Sequence, residues 1–159
     1  MPRDQPPEKN RRFSAERAYA EDMAPEAALL GHWIGREELF PTAWTTGGYA
    51  DGALTIEPGP GGLILDYAET QDQGTLTAHA VLVGSGFWWF DSYGFVPEAP
   101  GTAGWEGHTL VLDRRSPRGR TVMRLRPEGT MLVVELDTAA PTDAALTPLM
   151  RARYSRAAG

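Results

Sequence analysis

The chain of 159 residues contains no cysteine and carries a formal net charge of −6 at pH 7. A chain of this length can bury about 70% of the surface that its unfolded form exposes, so a folded domain needs no metal or disulfide for stability. The lack of cysteine excludes a disulfide framework, a thiolate nucleophile and a cysteine metal site, and the acidic balance argues against nucleic acid as a partner.

The N-terminal residues predict a tail without a fold of its own. Residues 1–12 are rich in proline and contain four basic side chains against two acidic ones, which leaves a net charge of about −8 on the rest. Such a segment cannot bury enough apolar surface to order itself, so we expect a disordered tail over residues 1–12 and a single β-barrel domain over residues 13–159. No apolar run is long enough for a signal peptide or a membrane span, which predicts a cytoplasmic protein without a membrane partner.

Two short helical segments are expected after the tail. Ser14 can cap a first helix over Ala15–Asp22, and Pro25 can occupy the first turn of a second helix that runs to Leu30. Gly31 then ends the helical pattern. Apolar residues recur from there with a period of two, and glycine, proline or aspartate interrupts the chain about every eight to twelve residues, which is typical of strands and turns.

About ten short strands follow, and short connections make consecutive strands antiparallel neighbours. The predicted strands are Trp33–Phe40, Gly48–Ile56, Leu63–Thr70, Thr75–Val83, Phe87–Tyr93, Thr102–Trp105, Thr109–Asp113, Arg120–Arg126, Met131–Asp137 and Leu149–Arg156. Ten such strands can close into a barrel, which removes sheet edges and leaves an interior wide enough for a small molecule. The predicted fold class is therefore all-β, a single antiparallel up-and-down barrel with a short N-terminal helical segment.

The outer face of the last three strands is expected to alternate in charge. Apolar side chains share one face of these strands, while the other face has arginines on the eighth and tenth strands and acids on the ninth. Its members are Arg120, Arg124, Arg126, Glu135, Asp137, Arg151 and Arg153. Cross-strand pairs of about 0.2–1 kcal/mol each can neutralise this face, so the basic cluster from Arg114 to Arg126 is interpreted as a solvated sheet surface rather than a phosphate site.

Residues at the two ends of the strand series predict a sealed barrel floor. Gly31, His32 and Trp33 stand at the head of the first strand, and Arg156 falls on the inner face of the last one. A tryptophan can plug the narrow end of a barrel while a planar guanidinium lies on its ring, an arrangement that lysine makes poorly. We therefore expect Trp33 and Arg156 to form the structural floor.

The expected lining of the barrel combines aromatic and ionisable side chains. Alternation from Trp33 places Glu37 inside, and in the third strand, where both faces are apolar, we choose the face of Tyr67. In the fourth strand the polar set that includes His79 is expected to line the cavity, because ligand-binding barrels tolerate polar groups.

Residues 87–92 form the densest cluster of aromatic side chains in the sequence. Alternation separates Trp89 and Asp91 from Trp88, so at least one tryptophan points inward in either register, and Trp105 adds a further indole from the adjoining strand. Aromatic rings with a buried carboxylate suit a planar or hydrophobic ligand; the alternative is a packed core with one tryptophan outside. The candidate ligand-binding residues are Glu37, Tyr67, His79, Trp89, Asp91 and Trp105.

Short motifs are spread over most of the chain. They are Gly31–Gly35, Pro41, Trp44, Gly47–Gly48, Leu65–Tyr67, the His79 strand, Trp88–Ser92, Gly104–Trp105, Ser116–Gly119 and Tyr154–Arg156. Together they resemble the DUF1579 family of small calycin-like β-barrels over about residues 27–156. The resemblance implies a fold without an established activity, related in shape to lipocalins, fatty-acid-binding proteins and haem-binding nitrobindins. The link Val83–Gly86 is shorter than the family pattern.

The histidines argue against haem. Nitrobindin-type barrels bind haem through a histidine close to the C-terminus, whereas the three histidines here are His32, His79 and His108. Only His79 could ligate from a barrel wall, and a single histidine in mid-strand is more often a satisfied polar residue. There is no HExxH motif and no aspartate-rich loop. We therefore expect no metal and no cofactor, with haem as a disfavoured alternative.

The first functional hypothesis is binding of a small hydrophobic or aromatic ligand. The alternative is a cofactor-free isomerase, cyclase or dehydratase, in which a buried Glu37 or Asp91 with a raised pKa works with His79 as an acid/base pair. A structural or partner-binding domain is the third reading, and no motif decides whether the protein is an enzyme. The expected partner is a small apolar or aromatic molecule, with no nucleic acid and no membrane, and the protein is expected to be a monomer or homodimer.

Overall fold

The computed structural model describes residues 24–43, 45–143 and 145–158. Three sequence predictions lie outside these residues: the tail over residues 1–12, the helix over residues 15–22 and Trp44 in the DUF1579 motifs.

The described part begins with a single helical turn, α1 (Ala24–Ala27). Pro25 supplies the fixed φ that suits a first helical turn, and the amide of Leu29 donates to the carbonyl oxygen of Glu26 at 3.0 Å. The helix is shorter than the sequence predicts, because the first strand begins at Gly31. Within the described residues, no helix has the length and apolar content that crossing a membrane requires.

Ten strands follow α1, as the sequence predicts, and each pairs antiparallel with the next. They are β1 (Gly31–Leu39), β2 (Gly48–Gly59), β3 (Gly62–Gln71), β4 (Gly74–Val83), β5 (Gly86–Asp91), β6 (Gly101–Glu106), β7 (Thr109–Ser116), β8 (Gly119–Glu128), β9 (Met131–Ala139) and β10 (Thr147–Arg156). Because β10 pairs in turn with β1, the sheet closes into a barrel. The predicted all-β fold class is confirmed.

The barrel has two different ends. The end that contains α1, the first residues of β1 and the last residues of β10 is called the floor here, and the opposite end is called the mouth. At the mouth lie the segments that join β1 to β2, β3 to β4, β5 to β6, β7 to β8 and β9 to β10.

The pairing of neighbouring strands is shortest at one seam. β5 and β6 share two residue pairs, Gly86 with Thr102 and Phe87 with Gly101, whereas β2 and β3 share nine. Beyond Phe87, strand β5 is paired on its β4 side alone. The wall is therefore least continuous along the mouth half of β5.

Side chains alternate between the interior and the outer wall, as strand geometry requires. The inner residues of β1 to β3 that are buried are Trp33, Glu37, Leu39, Ala50, Leu54, Ile56, Leu63, Leu65 and Tyr67. The face of Tyr67 is thus the inner face of β3, as expected. Large apolar residues of the remaining strands join these side chains in one hydrophobic core.

The facing predicted for β4 is wrong. Ala78 and Ala80 are buried, whereas His79 between them is exposed. The two alanines are paired with Tyr67 and Trp89 on the neighbouring strands. Their small side chains leave interior space for these large rings, so the apolar face of β4 lies inside and its polar face lies on the outer wall.

Ion pairs cover the outer wall of β7 to β10, in line with the expected alternation of charge. The pairs are Arg120 with Asp113, Arg124 and Arg151 with Asp137, and Arg126 and Arg153 with Glu128. Exposed pairs of this kind contribute at most about 1 kcal/mol each. They serve mainly to neutralise the surface.

Candidate functional site

The floor is closed by Trp33, which is 2% exposed. Its indole Nε1 donates a hydrogen bond to the carbonyl oxygen of Leu29 at 2.8 Å, and the guanidinium carbon of Arg156 lies 4.2 Å from the ring centroid. Arg156 also donates to the carbonyl oxygens of Leu30 at 2.5 Å and Ala28 at 3.4 Å. These hydrogen bonds tie the segment after α1 to the floor.

A buried carboxyl group lies in the mouth half of the barrel, between β1, β3 and β10. Glu37 is fully buried, and the hydroxyl oxygen of Tyr67 lies 2.8 Å from its Oε1 and 2.7 Å from its Oε2. The Tyr154 hydroxyl donates a second hydrogen bond to Oε2. Burial raises the pKa of Glu37 from 4.5 to about 7, although the hydrogen bonds from Tyr154 and Tyr67 lower it. Burial and the nearby Glu37 also raise the pKa of both phenols.

Tyr67 links Glu37 to a second carboxyl group. Its hydroxyl oxygen lies 2.8 Å from Oε2 of Glu69, whose Oε1 accepts a hydrogen bond from Gln71 at 2.9 Å. A phenol has one proton, so Tyr67 can donate to only one of the two acids. The contact with the other acid is favourable only when that acid is protonated and donates to the phenol oxygen. Because Glu37 is fully buried, it is the acid for which the neutral form is favoured most. This group of Glu37, Tyr67, Tyr154 and Glu69 is called the carboxyl cluster below.

Glycine makes room for the carboxyl cluster. A methyl group on Gly52 would lie 2.4 Å from the Tyr154 hydroxyl oxygen and 2.6 Å from Oε2 of Glu37, and one on Gly35 would lie 2.4 Å from Cδ1 of Tyr154. These distances are shorter than non-bonded carbon contacts allow. Any larger residue on the facing strands would therefore displace the carboxyl group or the phenol.

A cavity of ≈ 40 Å³ lies between β5, β7, β8 and β9 in the mouth half of the barrel. Most of its wall is apolar, and two polar side chains complete it. The lining residues are Phe87, Trp89, Leu112, Met123 and Leu136, with Arg114 and Thr121 as the polar members. It is called the mouth cavity below.

Trp89, Asp91 and Arg114 form the polar border of the mouth cavity. The guanidinium carbon of Arg114 lies 5.1 Å from the Trp89 ring centroid. Asp91 accepts a hydrogen bond from Trp89 Nε1 on Oδ2 and one from the Tyr93 amide on Oδ1, both at 3.1 Å. Burial lowers the pKa of Arg114, while the charge of Asp91 acts in the opposite direction. Arginine remains charged under such shifts.

The mouth cavity and the carboxyl cluster are adjacent. The ring centroids of Tyr67 and Trp89 lie 6.5 Å apart with an interplanar angle of 42°. Four of the six candidate ligand residues, Glu37, Tyr67, Trp89 and Asp91, are thus on inner faces in the mouth half. The structure separates the other two from this region.

Trp105 lies at the floor end rather than beside Trp89. It is 37% exposed and lines a second cavity of ≈ 120 Å³ with Leu63, Leu82, Leu110 and Glu26. Alternation identifies the face of a side chain but not how far along the barrel axis it lies. The expectation that Trp105 joins the same aromatic lining as Trp89 is therefore wrong.

His79 lies on the outer wall, so the predicted cavity-lining role and the acid/base pair with a buried carboxyl group are not supported by its position. Its Nδ1 is 2.6 Å from Oδ1 of Asp66, and the two side chains are 48% and 56% exposed. His32 is also exposed, with Nδ1 2.9 Å from the Thr55 hydroxyl, and His108 is exposed in a turn. All three histidines lie in the described part of the chain, and none of them faces the interior to ligate a haem.

Replacing His79 with alanine is expected to change the free energy of unfolding by less than about 1 kcal/mol, because an exposed ion pair contributes little. Urea denaturation measures this change, and Thr77→Ala on the same outer face is the matched control. A loss of more than about 2 kcal/mol relative to that control would contradict the outer position of His79.

Metal binding has no support from side-chain clustering. Among the described residues, no group of three or more histidine, aspartate or glutamate side chains has the geometry to hold a metal ion. The carboxyl cluster supplies two acids and two phenols, and its short contacts are made by hydrogen-bonded oxygens.

Sequence reasoning missed three residues of this region. Arg114 was grouped with the solvated basic cluster, yet it alternates with the buried Leu110 and Leu112 on β7 and so belongs to the inner face. Tyr154 shares the inner face of Arg156, but its approach to Glu37 depends on barrel closure between β1 and β10. Glu69 shares the inner face of Tyr67 on β3, and its link to Glu37 runs through the Tyr67 hydroxyl. The available signal was an inner acid on β1 with glycines at the neighbouring inner positions, Gly35 on β1 and Gly52 on β2, which are paired with each other.

Comparison with solved structures gives the fold and no closer relationship. The chain is similar to the crystal structure of Rv2717c from M. tuberculosis, with 16% identity, a TM-score of 0.57, and coverage of 87% of this chain and 97% of that one. It is also similar to the S-type phycobiliprotein lyase CPES from Guillardia theta, with 9% identity, a TM-score of 0.62, and coverage of 87% and 93%. No family model and no curated protein matches the chain. The similarity is therefore one of fold, a closed antiparallel β-barrel.

Proposed function

We propose that the protein binds a small apolar or aromatic molecule in the mouth cavity. The supporting observation is the wall of this cavity, where Phe87, Trp89 and Leu112 leave free space next to an inward-facing arginine. Small-molecule sites are concave and mostly apolar, with a few polar groups that orient the ligand. The likeness to a lyase from Guillardia theta supports the idea that a barrel of this shape accommodates a small molecule.

The size of the mouth cavity limits how a ligand can bind. Its ≈ 40 Å³ is well below the roughly 300 Å³ of common ligand pockets. A ligand with an aromatic ring can therefore bind only when side chains that line the cavity move aside. Met123, with an unbranched flexible side chain, lines the cavity and can adapt in this way.

Binding of N-phenyl-1-naphthylamine, an uncharged aromatic probe, tests the proposal. The wild-type protein is expected to bind the probe saturably, and Trp89→Leu is expected to weaken binding about tenfold, because one wall of the cavity loses its ring. Trp88→Leu is the matched control, since Trp88 lies next in sequence but on the outer wall, 37% exposed.

Probe fluorescence and isothermal titration calorimetry measure both affinities, and thermal unfolding establishes that the variants fold. Equal affinities for the Trp89 and Trp88 variants would place the probe elsewhere and contradict the proposal. No saturable binding by the wild-type protein would contradict it as well.

A cofactor-free isomerase, cyclase or dehydratase is the second candidate. Its supporting observation is Glu37, whose pKa of about 7 is close to the pH at which a general acid or base works best. His79 has no part in this candidate, and both oxygens of Asp91 already accept hydrogen bonds. Tyr67 and Trp89 lie between the carboxyl group and the mouth cavity, so a substrate would have to displace a ring to reach Glu37.

Other expectations stay predictions. Membership of the DUF1579 family depends on the sequence motifs alone, because no family model matches the chain. The cytoplasmic location, the absence of a nucleic-acid partner and the monomeric or homodimeric state likewise depend on composition and charge.

A further inference from the structure

Arg114 faces inward in the mouth half, whereas the ion-paired arginines of β8 and β10 lie on the outer wall. On β7 it follows the buried Leu110 and Leu112 with a period of two, and it is paired with Thr121, which also lines the mouth cavity. Its guanidinium group is partly buried and lies over the Trp89 ring. An arginine is thus part of an otherwise apolar cavity wall.

The outer-wall arginines of β8 and β10 have carboxylate partners, and Arg114 on β7 has none among the described residues. Arg120, Arg124 and Arg151 each form an ion pair with an aspartate at 2.6 to 3.4 Å. In the described ranges, no carboxylate oxygen lies within 4.0 Å of the Arg114 guanidinium, and that group donates no hydrogen bond.

Asp91 is the nearest acid that acts on Arg114, and it does not take the place of a partner. Its two oxygens accept hydrogen bonds from Trp89 Nε1 and from the Tyr93 amide. Its charge favours the charged form of Arg114 at a distance, while burial lowers the pKa of Arg114. The guanidinium therefore loses solvent without gaining hydrogen bonds in exchange, which is unfavourable for a charged group.

A bound anion would supply the missing hydrogen bonds. The guanidinium group presents planar pairs of N–H donors that match a carboxylate or sulfonate, and such charge-assisted hydrogen bonds are stronger than neutral ones. Trp89 covers one face of the guanidinium, which leaves its edge for the anion. Because Asp91 adds a negative charge nearby, a single negative charge on the ligand is favoured over two.

We infer that the ligand of the mouth cavity is a small amphipathic organic monoanion, whose carboxylate or sulfonate pairs with Arg114 while its apolar body lies against Trp89 and Phe87. This inference rests on the proposed function and narrows it to one class of ligand. It assigns Arg114 as the residue that determines the charge preference of the site.

Two probes of similar shape test the inference. They are 1-anilinonaphthalene-8-sulfonate, a monoanion, and N-phenyl-1-naphthylamine, which has the same ring system without the sulfonate. The wild-type protein is expected to bind the sulfonate about tenfold more tightly than the neutral probe, as one charge-assisted hydrogen-bonding group predicts. Added salt is expected to weaken the sulfonate complex but not the neutral one.

Arg114→Gln is expected to abolish this preference, so that the ratio of the affinities for the two probes falls from about tenfold to about one. Arg115→Gln is the matched control, since Arg115 is exposed on the outer face of the same strand and its loss should leave the preference unchanged. Thermal unfolding should show in Arg114→Gln at most the small loss of stability expected for one cation–π contact, because within the described part of the chain the guanidinium has no ion pair or hydrogen bond to lose and contacts the Trp89 ring alone in this way.

The outcomes separate this inference from the proposed function. Equal wild-type affinities for the two probes, or a preference that persists in Arg114→Gln, would overturn the role of Arg114 while binding itself stands. Failure of the wild-type protein to bind either probe would overturn both.

Discussion

Replacing Trp33 with alanine is expected to lower the free energy of unfolding by about 3–5 kcal/mol, as is usual for loss of a large buried ring. The residue is 2% exposed, and the change removes the hydrogen bond to the Leu29 carbonyl oxygen and the surface on which Arg156 lies. Chemical denaturation with an unchanged m-value measures the loss. A variant with the wild-type denaturation midpoint would contradict the structural floor.

Two further substitutions separate packing from the cation–π contact at the floor. Trp88→Ala, on the outer wall, should cost much less than Trp33→Ala, because its ring is 37% exposed. A double-mutant cycle between Trp33→Leu, which removes the aromatic face, and Arg156→Ala should give a coupling of about 0.5–2 kcal/mol. A coupling near zero would show that the arginine contributes through its hydrogen bonds to the Leu30 and Ala28 carbonyl oxygens instead.

Replacing Glu37 with glutamine is expected to remove a pH dependence of stability. The pKa of Glu37 is raised from 4.5 to about 7 in the folded protein, so the folded state holds a proton that the unfolded state releases. The wild-type protein is therefore expected to lose about 3 kcal/mol of stability as the pH rises from 4.5 through 7, and to change little beyond that range.

Glutamine keeps the size of Glu37 and cannot ionise. Above pH 7 the variant should be more stable than the wild type by up to about 3 kcal/mol, whereas near pH 4.5 the two should be similar. The groups that face Glu37 are the Tyr154 phenol from β10 and, from β3, the Tyr67 phenol and the Glu69 carboxyl group; β2 contributes Gly52.

Denaturation midpoints between pH 4.5 and 8 measure this effect. The adjacent Glu38→Gln, on the exposed face of β1, is the matched control and should retain the wild-type pH dependence. A wild-type profile that coincides with that of Glu37→Gln throughout would contradict a buried neutral carboxyl group. Retention of probe binding by Glu37→Gln would further separate the carboxyl cluster from the mouth cavity.

Much of the architecture could be predicted because it depends on local patterns. Period-two alternation broken by glycine is enough to place ten strands, and short connections make neighbours antiparallel. The inner positions of Trp33, Glu37 and Tyr67 follow from the same alternation. Pairing of Trp33 with Arg156 follows from closure between the first and last strands.

The candidate site could be predicted only in part, for reasons specific to each residue. One face of β4 is apolar, with alanine and leucine alone, and the face of His79 is mostly polar. Placing His79 inside follows from the tolerance of ligand-binding barrels for polar groups and goes against this local alternation. The facing was decided by the large rings of Tyr67 and Trp89, which require alanine opposite them. Trp105 lies on the inner face, as the alternation predicts. Its position along the barrel axis depends on the stagger between strands, which the alternation of side chains does not reveal.

The short pairing between β5 and β6 affects how a small molecule can pass through the barrel wall. Parting the sheet there breaks fewer backbone hydrogen bonds than elsewhere, so this seam belongs to the least protected part of the barrel. The gap would form directly beside Trp89. A ligand can thus reach the mouth cavity through the side wall of the barrel, while Trp33 and Arg156 keep the floor closed.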